Sequence, residues 1–412
     1  MTDTPNERLA NTALGGLRVV DFSHFVAGPL ATMILADAGA DVIKIEKPTG
    51  DDQRYFAPLD ARLGGEGASF LWANRNKRSI TLDLRSARGR EIALALARTA
   101  DVVMENFSTG VMAQYGLDYD SLAKDNPRLI YCSISAFGRS GEFASRPGFD
   151  TIAQGESGFM SLNGYADREG VRAGPPVMDI ATAMMAGNAV LIALAARHRT
   201  GLGQFVDVPL FETALLMTGF ASTQYLYSGK QPERNGNTSS AVVPSGVFPT
   251  ADLPIFITCI STPMFRRLFE LVGRPAVAAD PALQEAGGRL AQREHIISEL
   301  SSALSQHGSE HWLAQMAEAG IPAGAVRTLP QALASAEVKS LGVLTEINHP
   351  SAGQVPNLAL PMHFSGTPVV PPVAAPMLGQ HTDEVLAEVL GWDAAAIGAA
   401  REAGAFGKRR GG

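Results

Sequence analysis

Short apolar runs alternate with helical patterns from residue 17 to residue 137, and that alternation constrains the fold more than any other feature. LRVVDF (17–22) reads as a buried strand, SHFVAGP turns into a helix over 30–38 that Gly39 ends, and DVIKIEKP (41–48) is a second strand. RSITLDL (78–84), DVVMENF (101–107) and LIYCSISAF (129–137) read as further strands, with an amphipathic helix over 86–100 and a short helical stretch over 111–115 between them. Strands separated by helices of this length pair in parallel, so the pattern predicts an α/β fold with a doubly wound, mostly parallel, Rossmann-like sheet. Between the second and third strands, TGDDQRYFAPLDARLGGEGAS is rich in turn formers and reads as a long functional loop. A chain of 412 residues implies two domains. The polar, turn-rich stretch 229–246 marks the crossing into the second. The expected division is a large domain over 1–225, a smaller α+β domain over 230–330, and a C-terminal part, 331–412, that returns to the large one. In that last part VLTEINH (343–349) and PMHFSG (361–366) read as strands, and the basic Lys408–Arg410 as a disordered tail.

The stretch VRAGPPVMDIATAMMAG (171–187) is where chemistry is expected. Gly174, Pro175 and Pro176 form a turn, and a long apolar run, 180–196, follows Asp179 as a buried helix. Asp179 then stands at or beside the helix N-cap, where free N–H groups and the positive end of the helix dipole would hold it ionised. Capping is the plainer role. An ionised, poorly hydrated carboxylate on a rigid element is also what carboxylate nucleophilic catalysis requires.

Other signals bound the function. The net charge of -7 argues against a nucleic-acid or anionic-membrane partner. Cys132 and Cys259 sit in strand-like runs with no disulfide framework or zinc spacing, and no metal site is expected. With a polar N-terminal stretch and an apolar run shorter than a comfortable membrane span, the expected location is cytoplasmic. No Gly-x-Gly-x-x-Gly follows the first strand, so a nucleotide would be held by side chains. Arg75, Lys77 and Arg78, then Arg85 and Arg88, form a cluster that would attract phosphates. Lys47, at the end of the second strand, is better placed for a ligand than Lys44. His24 and Asn106 follow strands and face the same ligand edge.

Six motifs in order then resemble one family: LRVVDFSHFVAGP, LADAGADVIKIEKPTGDD, ANRNKRSITLDL, MENFSTGVMAQYGL, SRPGFDTIAQGESGFM and GPPVMD…GNAVLIALAARHRTGLGQFVDVPL. They look like the family III CoA transferases, to which formyl-CoA transferase and the carnitine and bile-acid CoA transferases belong. The resemblance is strong over residues 14–228. It implies that Asp179 is the covalent nucleophile of a transferase that moves CoA from an acyl-CoA donor to a carboxylic acid acceptor. The intermediates would be aspartyl anhydrides and an aspartyl-CoA thioester, in a site where the two domains meet. Acyl-CoA and small carboxylic acids would be the partners, with no tightly bound cofactor, and the protein would be an interlocked homodimer. Carried over position by position, the CoA contacts would be Val26, Ala27 and Lys47; Leu82, Asp83, Leu84 and Arg85; Asn106, Phe107 and Ser108; and Phe149. A glutamine stands at the family position of Val26 in formyl-CoA transferase and an arginine at that of Gln114. The missing arginine shifts the phosphate role to Arg75, Lys77 and Arg85. NGNTSSAVVPSG (235–246) is the nearest candidate for a loop that covers the site. Arg146, Arg172 and the region of His24 are candidate contacts for an acid's carboxylate, and a short dicarboxylic donor such as succinyl-CoA is the analogy.

Two other functions fit parts of this pattern. The related 2-methylacyl-CoA racemases carry Gly-His-Asp where this chain has Gly148–Phe149–Asp150, and phenylalanine cannot move a proton. A non-catalytic acyl-CoA-binding protein would keep the fold and bind CoA without exchange.

Overall fold

The computed structural model describes residues 12–59 and 65–408. The first eleven residues, 60–64 of the long loop, and Arg409 and Arg410 of the basic tail lie outside the described residues. The alternating pattern closes into a six-stranded sheet of β1 (Arg18–Asp21), β2 (Asp41–Glu46), β3 (Lys77–Thr81), β4 (Val102–Glu105), β5 (Ile130–Ser135) and β6 (Gln204–Pro209). The strands run in the order β3-β2-β1-β4-β5-β6, and every neighbouring pair is parallel. This is the doubly wound order, whose direction of winding reverses between β1 and β4 and opens a ligand crevice at the carboxyl ends of the strands. Val19, Val20, Ile43, Val103 and Ile130 are fully buried, as strands covered on both faces require.

Helix α1 (Ala27–Asp37) and the 24-residue helix α4 (Val177–Thr200) pack on one face with Leu30, Met33, Met178, Ala186 and Val190. Helix α2 (Ala87–Arg98) and the C-terminal helices Thr382–Leu390 and Ala394–Glu402 cover the other, through Ile92, Leu96, Leu386 and Ile397. Between them in the chain, α3 (Asp150–Glu156) precedes α4. The apolar pattern over 211–227 forms two helices, α5 (Leu210–Met217) and α6 (Phe220–Ser228), because Gly219 between them adopts φ +59°. Helix α1 begins three residues before the expected start. Pro29 falls in its first turn, where a missing N–H costs nothing. Gly28 is needed there, since a Cβ would meet the Ser23 Cβ at 2.2 Å. By length and composition α4 could cross a membrane, but Met178, Thr182, Ala183, Ala186, Val190 and Ala193 are buried, most of them in the sheet core.

The chain divides into two compact units, the first comprising residues up to 160, 172–230 and from 342 onward, the second 161–171 and 231–341. In the second, strands Ser245–Phe248, Ile255–Thr258 and Ala323–Ala325 form an antiparallel sheet around a core that includes Phe265, Phe269 and Trp312. Back in the first unit, Leu344–His349 is a strand as expected and pairs with Gly353–Leu358, whereas 361–366, read as a strand, is irregular. Pro356 obscures the true partner strand, yet a two-stranded edge tolerates it. Cys132 and Cys259 are buried free thiols.

Arg75 and Lys77, expected to meet phosphates, are instead buried and matched within the chain. They stand at the N-terminal end of β3, away from the ligand edge that follows Thr81. Arg75 is buried and pairs with Asp37 at 2.6 Å and with the Leu358 carbonyl at 2.8 Å. The Lys77 ammonium, wholly buried, donates to Asp21 at 3.1 Å, the Pro29 carbonyl at 2.8 Å and Asn74 Oδ1 at 2.8 Å. Removing one partner of such a pair leaves an unmatched buried charge. Lys77→Met is expected to cost about 3–5 kcal/mol in urea denaturation. It should leave the acyl-CoA KM of the folded protein unchanged, the reverse of what loss of a phosphate contact would do.

Candidate active site

Asp179 is the third residue of α4, after the N-cap Pro176, and its carboxylate does not cap the helix. Asp150 does. The first residue of α3, it places Oδ1 2.7 Å from the N–H of Met178 and 3.4 Å from that of Asp179. Its Oδ2 accepts from Gln154 Nε2 at 2.6 Å, and Gln154 Oε1 in turn accepts from the Ala173 N–H at 2.8 Å. The first-turn donors expected to stabilise Asp179 are therefore already occupied. Among the described residues nothing donates a hydrogen bond to the Asp179 carboxylate. Burial, then the like charge of Asp150, pushes its pKa up to about 7. This corrects the expectation of a dipole-stabilised, fully ionised group.

Two cavities open on Asp179. The first, of about 250 Å³, is walled by His24, Val26, Ala27, Asn106, Phe107 and Phe149. The second, of about 570 Å³, is walled by Phe25, Phe56, Trp72, Phe149, Asp150 and Arg172. Phe25 holds a φ of +61°, a conformation rare for an aromatic residue and characteristic of functional sites. Its ring packs 5.8 Å from Phe149 and 5.9 Å from Phe56. Asn106 is spent on positioning, for its side chain accepts from the His24 N–H at 2.9 Å and donates to the His24 carbonyl at 2.7 Å. That clasp ties the loop after β1 to the end of β4. The His24 ring lies 5.0 Å from both Phe25 and Phe107, and burial lowers its pKa below the usual histidine range.

The cavities continue along the carboxyl ends of the strands. A third, of about 170 Å³, shares His24 and Phe107 with the first and includes Lys47. The fourth and largest, of about 660 Å³, shares Lys47 and Phe107 with the third. Leu82, Asp83, Leu84, Arg85, Tyr115 and Lys408 complete it. Arg85 pairs with Asp83 at 2.9 Å but is 80% exposed, so its charge remains available to a ligand. Lys47, paired with Asp52 at 2.9 Å, is half exposed as well. Ser108 borders the first cavity. Of the residues expected to touch CoA, all but Arg75 and Lys77 thus lie along one track that ends at Asp179. Asp150, Trp72 and Tyr115 went unsuspected as members of that track. Only the Gly148–Phe149–Asp150 turn pointed near them. Among the described residues no cluster of three or more His, Cys, Asp or Glu could hold a metal ion.

Residues 14–382 match the family model described as CoA-transferase family III. The chain belongs to the family III CoA-transferases. A succinate–glutarate CoA-transferase of Agrobacterium fabrum is 36% identical over 94% of this chain and 98% of its own length. An acetyl-CoA:oxalate CoA-transferase of Acetobacter aceti is 38% identical over 80% of this chain and 86% of its own. The crystal structure of a CAIB/BAIF family protein from Brucella suis superposes with a TM-score of 0.83 at 37% identity, covering 92% of this chain and all of that one. As a family III CoA-transferase this protein is an enzyme of the transferase class, and Phe149 stands beside Asp179 where a racemase would need a base.

The raised pKa of Asp179 carries a stability cost with a definite sign. The folded chain keeps a proton that the unfolded chain gives up near 3.8, so ionisation opposes folding as pH rises from about 4 to about 7. Asp179→Asn is expected to stabilise the chain by about 2–4 kcal/mol at pH 8. The gain should vanish at pH 4, as read by denaturation midpoints at the two pH values.

Proposed function

We propose that this chain transfers CoA between short dicarboxylic acids by covalent catalysis at Asp179. The observation that carries the reading is a carboxylate that borders two cavities, unbonded and poorly hydrated, at the end of a track suited to an elongated ligand. In the first step one Asp179 oxygen attacks the thioester carbonyl of the donor. The C–S bond breaks, leaving an acyl-aspartyl anhydride and CoA thiolate. The thiolate then attacks the aspartyl carbonyl, releasing the donor acid and forming an aspartyl-CoA thioester. The acceptor carboxylate displaces the thiolate to form a second anhydride, and thiolate attack on its acyl carbonyl yields the new acyl-CoA and free Asp179. A nucleophile with a pKa near 7 is more basic, and so more nucleophilic, than an ordinary aspartate, yet half ionised at neutral pH. The aromatic walls of Phe25, Phe56, Trp72 and Phe149 keep water from the anhydrides.

The phosphates of CoA meet Lys47 and Arg85, and Leu82–Leu84, Phe107 and Tyr115 receive the rest of the nucleotide end. No resident cofactor enters the scheme. The diacid assignment follows the names of the relatives, which carry succinate, glutarate and oxalate. Helices α4, α5 and α6 present Ile192, Leu216, Phe220 and Tyr227 outward, with Phe220 85% and Tyr227 89% exposed. So wide an apolar face on the first unit supports a homodimer.

Incubation with succinyl-CoA followed by borohydride or hydroxylamine trapping is expected to modify Asp179, read by peptide mass spectrometry. Asp179→Ala should lose CoA exchange between thioester and free acid altogether. Stoichiometric CoA binding with no exchange and no adduct across a panel of donors would identify the non-catalytic alternative. In the native enzyme the rate of adduct formation should rise with pH through about 7. Asp150→Asn should move that midpoint down by removing the like charge, though not to 3.8, because burial is the larger cause. Lys47→Ala and Arg85→Ala are each expected to raise the KM for acyl-CoA about tenfold with kcat little changed, as loss of a charge-assisted phosphate contact does.

A further inference from the structure

The second cavity has apolar walls and one cation. Of its aromatic side chains, Phe25, Phe56 and Phe149 offer nothing to a carboxylate and Trp72 only its indole N–H; Gln53, Ser69 and Thr151 are neutral, and the carboxylates of Asp150 and Asp179 repel an anion. Arg172 is the one lining residue that can meet it with an opposite charge. Cations that border the first cavity are already matched. Arg139 pairs with Glu105 at 3.0 Å, while Arg146 pairs with Glu156 and stacks on the Phe137 ring at 4.6 Å. Arg172 meets no carboxylate among the described residues. Its Nη1 donates weakly to the carbonyls of Ala173 and Gly174, at 3.2 and 3.3 Å, and neither its Nε nor its Nη2 has a partner there. The backbone that carries it is held in place, with the Ala173 N–H bound to Gln154 and the Gly174–Pro175–Pro176 turn leading into α4. An exposed guanidinium without a carboxylate partner therefore lines, from a held backbone, the same cavity as the proposed nucleophile.

We infer that Arg172 receives the far carboxylate of a dicarboxylic acyl group whose near carboxyl reacts at Asp179, and thereby selects diacids over monoacids of equal length. The inference rests on the transferase reading of Asp179. A second carboxylate entering a cavity lined by aromatic rings loses its hydration, and only a matched charge restores that loss. The planar fork of a guanidinium can bind both oxygens at once, which an ammonium cannot. A monoacid has no use for Arg172 and would leave it unpaired.

The test compares single-turnover labelling of Asp179 by glutaryl-CoA and by pentanoyl-CoA, thioesters of the same length that differ in the second carboxylate. For the native enzyme, kcat/KM for adduct formation should favour glutaryl-CoA. Arg172→Met should lower the glutaryl-CoA value at least tenfold while leaving pentanoyl-CoA within about threefold, and Arg172→Lys should fall between. The pentanoyl-CoA rate also reports whether each variant is folded. An equal loss for both thioesters assigns Arg172 a structural role and overturns the inference, as does no loss for either. Adduct formation by the native enzyme with no preference for glutaryl-CoA overturns it too, while the nucleophile assignment stands. Absence of any adduct from both thioesters overturns the transferase reading and this inference together.

Discussion

The site depends on how a small number of backbone N–H groups is shared between two carboxylates. The start of α4 offers few free donors, and Asp150 occupies those of Met178 and Asp179. Had Asp179 capped its own helix, it would be well solvated by dipoles and chemically quiet. With Asp150 in that place, Asp179 is left half-buried, without donors and beside a like charge. The same contact thus secures the helix and withholds stabilisation from the neighbouring side chain. Local instability of this kind persists only where surrounding structure over-determines it. Here α4 is anchored by a continuous buried stripe from Met178 to Ala193.

The parallel sheet then decides where a ligand can go. Winding reverses between β1 and β4, and of the residues that follow these strands His24 and Phe107 line both the first and the third cavities. The Asn106 side chain joins the two sides of the crevice by holding the His24 backbone at both its N–H and its carbonyl, a two-point contact that fixes the loop. The strained Phe25 projects from the same loop and brings its ring against Phe149. A rigid frame with one conformationally costly aromatic at its centre suits a pocket that has to exclude water.

Much of this was legible in the residues. Parallel strands buried on both faces are continuous apolar runs, which is why β1, β2, β4 and β5 stood out. Asp179 stood out because it is a lone charge ahead of a long apolar helix. What stayed hidden was long-range. Asp150 lies 28 residues before Met178, and no local pattern announces that it caps another helix. The basic cluster misled because charge composition does not tell one end of a strand from the other. Arg75 and Lys77 enter β3 and are consumed by Asp37 and Asp21, whereas Arg85 leaves it and meets the crevice. Helix boundaries slipped where Pro29 and Gly219 act through backbone geometry and not through hydrophobicity.

The C-terminal stretch bears on how the protein is made. Pro376 supplies a carbonyl to the buried Arg54 at 3.0 Å, Leu358 one to Arg75 at 2.8 Å, and His381 accepts from the Ser79 N–H at 3.2 Å. Gly407 and Lys408 close the wall of the largest cavity. A chain emerging from the ribosome N-terminus first therefore completes its sheet strands hundreds of residues before their last partners arrive. The nascent large unit holds Arg54 and Arg75 by their nearer carboxylates alone, with one wall of the largest cavity still missing. Ligand grip cannot assist its early folding, and quality control has a long interval in which to act.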